Sequence, residues 1–310
     1  MTLGGAAAEP LVHIKDFRMD FGDTTVIKDL SFDVRAGETF GFLGSNGSGK
    51  TTTLRALLGI YQPTAGTLHI DGKPFSPRDG ARLGYLPEER GLYKKESVLD
   101  VMVYFGRLKG LTKTRAKAWS RDYLERVGLA DKATTRLDKL SGGQQQKIQL
   151  GVTIMNDPEL LILDEPTKGF DPVNRRLLMD IIEEQKLAGA TVIMVTHQME
   201  EVERLCDRVI LLKDGTSPAY GTVADVQEQF GGTLYRLTYT GILPASALYD
   251  ILSDTGADAE LSPRPGGNET AVLRELLDQG VAVKAFTTAR TSLEEIFIKV
   301  YGENHEMAEA

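Results

Sequence analysis

The sequence predicts an α/β protein with a mixed, mostly parallel sheet, followed by a small α+β region. Two short apolar strands, LLILD at 160–164 and TVIMVTH at 191–197, flank a long helical segment. Strands that alternate with helices in this way indicate a parallel sheet. A third apolar strand, TFGFLG at 39–44, leads into a glycine-rich turn and a helix, which adds another strand–helix unit.

The first part of the chain predicts antiparallel strands. From Leu11 onward, apolar and polar residues alternate through LVHIKDFRMDF and TVIKDLSFDV, and Gly22 and Asp23 separate the two runs. Alternation broken by turn residues is typical of strands joined by tight turns. A further hairpin is predicted in PTAGTLHIDGKPF at 63–75. We expect these segments to form an antiparallel β subdomain.

A helical insertion is predicted from about residue 89 to residue 155. Ser97, with Asp100 three residues later, predicts a capping box at the start of one helix. Residues 112–128 have helical spacing as well. After the insertion, Asp171 as cap and Pro172 as first helical residue predict the start of the long helix between the two apolar strands.

The chain is expected to contain two domains. Residues 11–222 form the first, which includes the helical insertion, and residues 233–305 form a small accessory domain. The segments of the accessory domain are strands LYRLTY (234–239) and VAVKAF (281–286), and helices ASALYDILSDTG (245–256), AVLRELLDQG (271–280) and TSLEEIFIKVYG (291–302).

Charge and composition exclude some classes of protein. The net charge is −8, and residues 231–310 carry 6 Lys and Arg against 12 Asp and Glu, so no basic surface for nucleic acid is expected. The single cysteine, Cys206, fits a reducing cytoplasm. No apolar run approaches the roughly 18–20 residues that span a bilayer. The first ten residues, MTLGGAAAEP, do not have the pattern of a signal peptide.

Residues 44–51, GSNGSGKT, match the phosphate-binding pattern G-x-x-x-x-G-K-[ST] between a strand and a helix. The glycines let backbone N–H groups turn towards phosphate oxygens, Lys50 adds a positive charge, and the Thr51 hydroxyl is a hard ligand for Mg²⁺. The alternative is a glycine-rich turn with a lysine by chance, and the flanking strand and helix disfavour it. The expected nucleotide contacts are Gly44, Ser45, Asn46, Gly47, Ser48, Gly49, Lys50, Thr51 and Thr52.

Three further polar residues lie at the ends of the two apolar strands: Asp164 and His197 close them, and Glu165 follows Asp164. Asp164 is predicted to hold the metal through water, and Glu165 to orient or deprotonate an attacking water. His197 closes the next strand at the sheet edge where α/β proteins bind ligands, so its imidazole is predicted to reach a γ-phosphate. The alternatives are ordinary turn residues for the two carboxylates and a structural role for the histidine.

A second anion site is predicted in LSGGQQQ at 140–146. Ser141 is a good N-cap, and Gly142 and Gly143 allow a ligand to approach the backbone of the first turn. The free N–H groups and the positive end of the helix dipole favour an anion there. The residues alone do not identify the anion.

Taken together, GSNGSGKT, LSGGQ, LLILDEP, GFDP and VTH resemble the ATP-binding-cassette (ABC) family of transporter ATPases over residues 11–221. The resemblance implies two cassettes arranged head to tail, with each ATP between the glycine loop of one subunit and the LSGGQ of the other. Ser141, Gly142, Gly143 and Gln144 would then contact the ATP of the partner.

The resemblance also assigns three residues outside these loops. Phe21 would stack on the adenine, although a core position on its strand is the alternative. Asp171 in GFDP would lie at the subunit interface. Glu88 stands where the family usually has a glutamine that contacts both Mg²⁺ and the membrane partner. A carboxylate is a suitable ligand for Mg²⁺, but it adds a negative charge near the γ-phosphate.

YLPEERGLY and the C-terminal TSLEEIFIKVYG are similar to the drug- and sodium-exporting branch, which includes daunorubicin-resistance-type ATPases. We therefore expect an ATP- and Mg²⁺-dependent ATPase that acts as a homodimer, without nucleic acid. It would dock on a separately encoded transmembrane permease at the cytoplasmic face of the cell membrane. The alternatives are a soluble ABC ATPase that acts on nucleic acid or ribosomes, and the ATPase subunit of an importer.

Overall fold

A computed structural model describes residues 10–89 and 91–302 of the 310-residue chain. The described chain divides into two compact units, with the boundary between Gly221 and Thr222. Within these residues the first unit has a six-stranded sheet, a three-stranded sheet and six α-helices, and the second has a four-stranded sheet and three α-helices. The predicted fold class, α/β with a small additional α+β region, is confirmed.

The first unit is built on two sheets. Its strands are β1 Val12–Phe21, β2 Thr24–Val34, β3 Thr39–Gly44, β4 Ala65–Ile70, β5 Leu83–Leu86, β6 Leu160–Asp164, β7 Thr191–Val195, β8 Arg208–Lys213 and β9 Thr216–Thr222. The larger sheet has the order β5-β6-β7-β3-β8-β9, and its pairs from β5 to β8 are parallel. The smaller sheet, β2-β1-β4, is antiparallel.

The helices of the first unit are α1 Lys50–Leu57, α2 Val98–Leu108, α3 Lys113–Arg126, α4 Gly142–Ile154, α5 Pro172–Leu187 and α6 Met199–Leu205. The predicted helical insertion is formed by α2, α3 and α4, which follow β5 and precede β6. Every residue of β3, β6 and β7 is buried, as expected for parallel strands covered on both faces. One apolar core includes residues of both sheets and of α1.

The helix starts follow the capping residues in the sequence. The Asp171 side chain accepts hydrogen bonds from two backbone N–H groups of α5, and Pro172 is the first helical residue, as predicted. Ser97 caps α2 by accepting from the N–H of Asp100. The Asp100 carboxylate, however, accepts from the Ser97 hydroxyl at 2.6 Å. The predicted capping box is therefore only half formed, because the aspartate binds the serine hydroxyl and not the Ser97 N–H.

The hairpin predicted at 63–75 is wrong. Only β4 forms there, and it pairs with β1, which is distant in sequence. Asp71 and Gly72 do make a turn with positive φ angles, but beyond it the chain forms one isolated bridge, between Ile70 and Lys73. The next residue is Pro74, which has no N–H with which to extend a ladder.

The second unit has one antiparallel sheet with the order β11-β12-β10-β13. Its elements are α7 Val223–Phe230, β10 Thr233–Thr240, β11 Tyr249–Asp254, β12 Asp258–Pro263, α8 Glu269–Asp278, β13 Ala282–Arg290 and α9 Leu293–Gly302. The apolar core includes three tyrosines of β10 and β11 together with Val272 and Leu276 of α8. The strands β10 and β13 and the helices α8 and α9 agree with the sequence prediction.

Two segments of this unit differ from the prediction. Residues 245–256 read as a helix because Leu248, Ile251 and Leu252 recur at helical spacing, but the segment contains strand β11. Pairing with β12 and burial of the Tyr249 side chain override the helical pattern, and Leu252 stays exposed. Helix α7 lies in a segment with no predicted element, and its signal was the capping box that Thr222 starts.

Cys206, the single cysteine of the chain, is buried after α6. A Cβ added at Gly41 of β3 would lie 3.1 Å from Cys206 Sγ, so the sheet and the thiol are in close contact. Burial raises the pKa of this thiol. No helix within residues 10–89 and 91–302 is long and apolar enough to span a membrane.

Candidate functional site

The glycine loop, residues 44–49, connects the central strand β3 to α1. Gly44 and Gly49 have φ angles of 155° and 106°, which only glycine adopts easily. A Cβ on Gly44 would lie 2.6 Å from the Leu212 carbonyl oxygen, and one on Gly49 would overlap the Ile27 side chain. The loop therefore needs glycine at both positions, for backbone conformation and for space.

Lys50 begins α1 and folds back over the loop. Its Nζ donates hydrogen bonds to the carbonyl oxygens of Gly44 at 2.7 Å and Ser45 at 2.8 Å. Burial lowers the pKa of the ammonium group, while the carboxylates of Glu165 and Asp164 act in the opposite direction. The lysine thus lies in a partly desolvated position where an added anion would stabilise its charge.

Asp164 ends β6, and Glu165 follows it with a φ of 52°. This left-handed conformation is uncommon for a residue with a side chain, and strain of this kind is concentrated at functional sites. The N–H of Glu165 is held by the Val195 carbonyl at 2.8 Å. Burial, followed by the neighbouring carboxylates, raises the pKa of Asp164 to about 6 and that of Glu165 to about 7.

His197 lies beside Glu165, because β6 and β7 are parallel neighbours and their following loops meet. The two side chains are 3.1 Å apart, from His197 Nε2 to Glu165 Oε1. Burial, followed by the positive charges of Lys50 and Lys168, lowers the pKa of His197, which favours the neutral imidazole. These groups form one cleft, lined by Asn46, Gly47, Gly49, Lys50, Thr51, Thr52, Glu88, Asp164, Glu165, Val195 and His197.

Glu88 enters this cleft from the loop after β5. Its Oε1 is 2.7 Å from Nζ of Lys168, which lies in the loop after β6. The hydrogen bond to Lys168 holds the pKa of Glu88 below its usual value. Sequence reasoning missed Lys168, because no motif pairs a residue of the first loop with one of the second.

Phe21 lies outside the set of residues that line the cleft. It ends β1 with 44% of its surface exposed, so the alternative of a core aromatic is wrong. Its ring meets Tyr61 edge to face, with the centroids 5.3 Å apart. An exposed aromatic ring at this strand end is available for stacking.

The segment LSGGQQQ starts α4, and Ser141 is its N-cap as predicted. The capping box is complete: Ser141 Oγ accepts from the Gln144 N–H at 3.3 Å, and Gln144 Oε1 accepts from the Ser141 N–H at 3.0 Å. A Cβ on Gly143 would lie 3.3 Å from the Phe170 ring. The depression in front of this helix is lined by Gly128, Leu129, Ser141, Gly143, Gln144, Lys147, Gly169, Phe170, Asp171 and Asn174.

A buried network lies behind the loops that follow β6 and β7, and sequence reasoning missed it. Thr167 Oγ1 donates to Glu201 Oε1 at 2.6 Å, and Thr196 Oγ1 donates to Glu201 Oε2 at 3.5 Å. Arg175 Nε is 3.8 Å from the same carboxylate. Burial raises the pKa of Glu201. One buried side chain thereby joins the loop that follows β6 to the loop that follows β7.

Comparison with known proteins agrees with this geometry. Residues 27–168 match the ABC transporter family, and residues 221–301 match the ATP-binding protein DrrA1-3-like, C-terminal domain. An uncharacterized ABC transporter ATP-binding protein of Methanocaldococcus jannaschii, MJ1023, is 45% identical over 70% of this chain and 80% of its own. Nod factor export ATP-binding protein I of Ralstonia nicotianae is 32% identical over 96% of each chain.

A solved structure, described as the ATP-binding subunit of an ABC transporter, has a TM-score of 0.66 and 28% identity. The match covers 71% of this chain and 93% of that one. Fold and site together define an ATP-binding-cassette ATPase. The chain belongs to the ABC transporter ATP-binding family, with a C-terminal domain of the DrrA type. The family resemblance seen in the sequence is confirmed: the chain is an ABC transporter subunit that binds and hydrolyses ATP.

Proposed function

We propose that this chain powers export as a homodimer that closes around two ATP molecules. The observation that carries the proposal is the separation of two predicted anion-binding features on one chain. The glycine-loop cleft and the depression before Ser141 have no lining residue in common among the described residues. A twofold axis would set the first feature of each copy against the second feature of the other.

Within each sandwich the residues would have distinct roles. The loop 44–52 would hold the phosphates, with Lys50 released from its own carbonyl partners to the phosphate oxygens. Glu165 would take a proton from the attacking water, and neutral His197 would donate a hydrogen bond to the γ-phosphate. Phe21 would stack on the adenine, while Ser141, Gly142, Gly143 and Gln144 would contact the γ-phosphate of the partner, with Asp171 beside that interface.

The cleft also fits Mg²⁺, with Thr51, Asp164 and Glu88 as the side chains that would hold it. Two of the three buried side-chain atoms without a hydrogen-bond partner in the described chain, Ser48 Oγ and Glu165 Oε1, are in the glycine loop and at the end of β6. The described residues contain no group of three or more His, Cys, Asp or Glu side chains placed to hold a metal ion. Mg²⁺ usually takes one or two carboxylates together with substrate phosphates and water, and Asp164 and Glu88 would supply the carboxylates here.

When bound, Mg²⁺ would offset the negative charge of the phosphates. The chelator EDTA should therefore abolish turnover, and Mn²⁺ should restore part of it, because Mn²⁺ also accepts oxygen ligands in octahedral geometry. Full activity in excess chelator would contradict this part of the site.

The permease and the direction of transport are inferred from relatives and surface chemistry. The C-terminal match and the relative named for Nod factor export both favour an exporter. In the loop after Glu88, Tyr93 is 55% exposed and its ring meets Tyr104 edge to face, which gives a membrane partner an aromatic surface. Docking there would hold the chain at the cytoplasmic face of the membrane. Cross-linking from Tyr93 or Lys94 to an integral membrane protein would test the contact, and transport in vesicles would test the direction.

The dimer is tested by mixing two impaired chains, both carrying Glu165→Gln so that ATP stays trapped. Lys50→Ala damages the glycine loop, and Ser141→Arg fills the space before α4. If each site uses one feature from each chain, a mixed dimer has one intact site and should trap one nucleotide. If each site uses both features of one chain, every site keeps a lesion and no nucleotide is trapped.

Ser141→Arg also removes the N-cap of α4, and the matched control for this loss is Thr112→Arg. Thr112 caps α3 with the same 3.3 Å acceptor distance as Ser141, but it is remote in sequence from both motifs. Chains with Thr112→Arg should trap nucleotide without mixing, which separates a blocked site from a weakened helix cap. Verified mixed dimers without trapped nucleotide would contradict the proposed sandwich.

A further inference from the structure

The ion pair between Glu88 and Lys168 connects two loops at the phosphate cleft. Because β5 and β6 are parallel neighbours, the loop after each strand starts at the same edge of the sheet. The Lys168 ammonium lies 2.7 Å from Glu88 Oε1, and both side chains are partly exposed. Glu88 lines the cleft, whereas Lys168 is absent from its lining and reaches Glu88 from outside.

The cleft has an excess of negative charge before any nucleotide enters. Glu88, Asp164 and Glu165 all line it, and among the residues that the structure describes Lys50 is the only lysine or arginine in the lining. ATP would add further negative charge at the same place. A glutamine at position 88 would avoid part of this repulsion, so a chain with glutamate there needs a compensating cation or binds ATP less well.

We propose that Lys168 is a positioning residue. It holds the Glu88 carboxylate at the edge of the cleft and weakens the repulsion between that carboxylate and ATP. The inference depends on the proposed phosphate site in this cleft. Its mechanism is geometric: the ion pair turns Glu88 towards the loop after β6, so the carboxylate does not swing freely against the phosphates. Lys168 follows Glu165 by three residues. The same loop therefore carries the proposed base, Glu165, and the cation that reduces the repulsion between Glu165 and Glu88.

The size of the effect is bounded by the exposure of the pair. Exposed ion pairs are weak and are screened by salt, so we expect Lys168→Ala to weaken ATP binding about three- to five-fold at low ionic strength. Lys168→Arg should keep the parental affinity, because a guanidinium group can make the same contact with a carboxylate.

The test is a double-mutant cycle on ATP affinity in excess EDTA, measured by calorimetry on the full chain. Lys168→Ala should reduce affinity at least about three-fold more with Glu88 present than in the Glu88→Gln background, and the difference should shrink at high salt. Equal effects in the two backgrounds, or no effect in either, would overturn the proposal. Circular dichroism spectra of each variant verify that the chain is folded.

Two controls separate this proposal from the proposed site itself. Lys73→Ala removes a lysine of comparable exposure whose partner, Asp79, is outside the cleft, and it should leave ATP affinity unchanged. Lys50→Ala should abolish binding if the nucleotide occupies this cleft. Binding that survives Lys50→Ala contradicts the proposed phosphate site. Binding that depends on Lys50 but shows no coupling of Glu88 to Lys168 contradicts only the present inference.

Discussion

His197 Nε2 lies 3.1 Å from Glu165 Oε1, although 31 residues of chain separate them. Strand pairing produces this approach, because Asp164 of β6 is opposite Val195 of β7 and each polar residue follows its strand by one or two positions. The contact with Nε2 is close but lacks the geometry of a hydrogen bond, so the buried Glu165 Oε1 has no hydrogen-bond partner among the described residues. That oxygen is therefore available to accept a hydrogen bond from a water molecule that attacks the γ-phosphate.

Replacing Glu165 with glutamine should separate hydrolysis from binding. The amide has the same shape but does not accept a proton, so turnover should fall by about 10²-fold or more while ATP affinity stays within a few-fold. Steady-state hydrolysis and equilibrium binding measure the two effects. Glu184→Gln, an exposed change on α5 at an ion pair with Arg126, is the control and should leave both unchanged. Turnover within a few-fold of the parent would remove Glu165 from the role of base.

The raised pKa of Glu165 predicts how stability depends on pH without nucleotide or metal. A carboxyl group with a pKa near 7 in the folded chain and an ordinary value of 4.5 binds its proton more tightly when folded. The free energy of unfolding therefore falls as pH rises through this window. The side chain in Glu165→Gln does not titrate. Relative to that variant, the free energy of unfolding of the parent should fall by up to about 3 kcal/mol as pH rises through this window. Urea denaturation of both chains at several pH values checks the difference, and a constant gap from pH 4.5 to 7 would contradict it.

Glu201 should matter to both stability and catalysis. Glu201→Ala leaves two buried threonine hydroxyls without their acceptor, which should lower the free energy of unfolding by about 1–3 kcal/mol. Because these threonines flank the loops of Glu165 and His197, turnover should fall more than ATP affinity does. The adjacent exposed residue provides the control, Glu200→Ala. Denaturation measures stability, while kcat and ATP affinity are measured separately. A change in stability alone would refute the role of Glu201 in catalysis.

The two units are proposed to be separate domains, so a chain that ends at Gly221 should fold and bind ATP. All the residues that line the glycine-loop cleft precede that position. We expect an ATP affinity within about two-fold of the full chain, because no side chain of the cleft is removed. A chain that ends at Gly231 keeps α7 and serves as the comparison. An insoluble product in both cases would show that the units depend on one another to fold.

Sequence reasoning found the parts of the site that are encoded locally. The glycine loop, the end of β6 and the caps of α4 and α5 each depend on a few consecutive residues whose backbone requirements are specific. Sequence reasoning failed where an element or side chain depends on a partner that is distant along the chain. Strand β11 takes its conformation from pairing with β12, and β4 pairs with β1 and not with its own neighbouring segment. Lys168 and Glu201 become functional candidates only when the fold brings their loops together, and a single sequence has no periodicity that indicates this.

The buried Cys206 makes this chain well suited to fluorescent and spin-label studies. Its thiol packs beneath β3 and has a raised pKa, so thiol-reactive dyes should leave it unmodified under native conditions. Since the chain has no other cysteine, one introduced at an exposed position would be the sole point of attachment. A dye on α3 of each copy could then report subunit approach in real time, without first removing a native thiol.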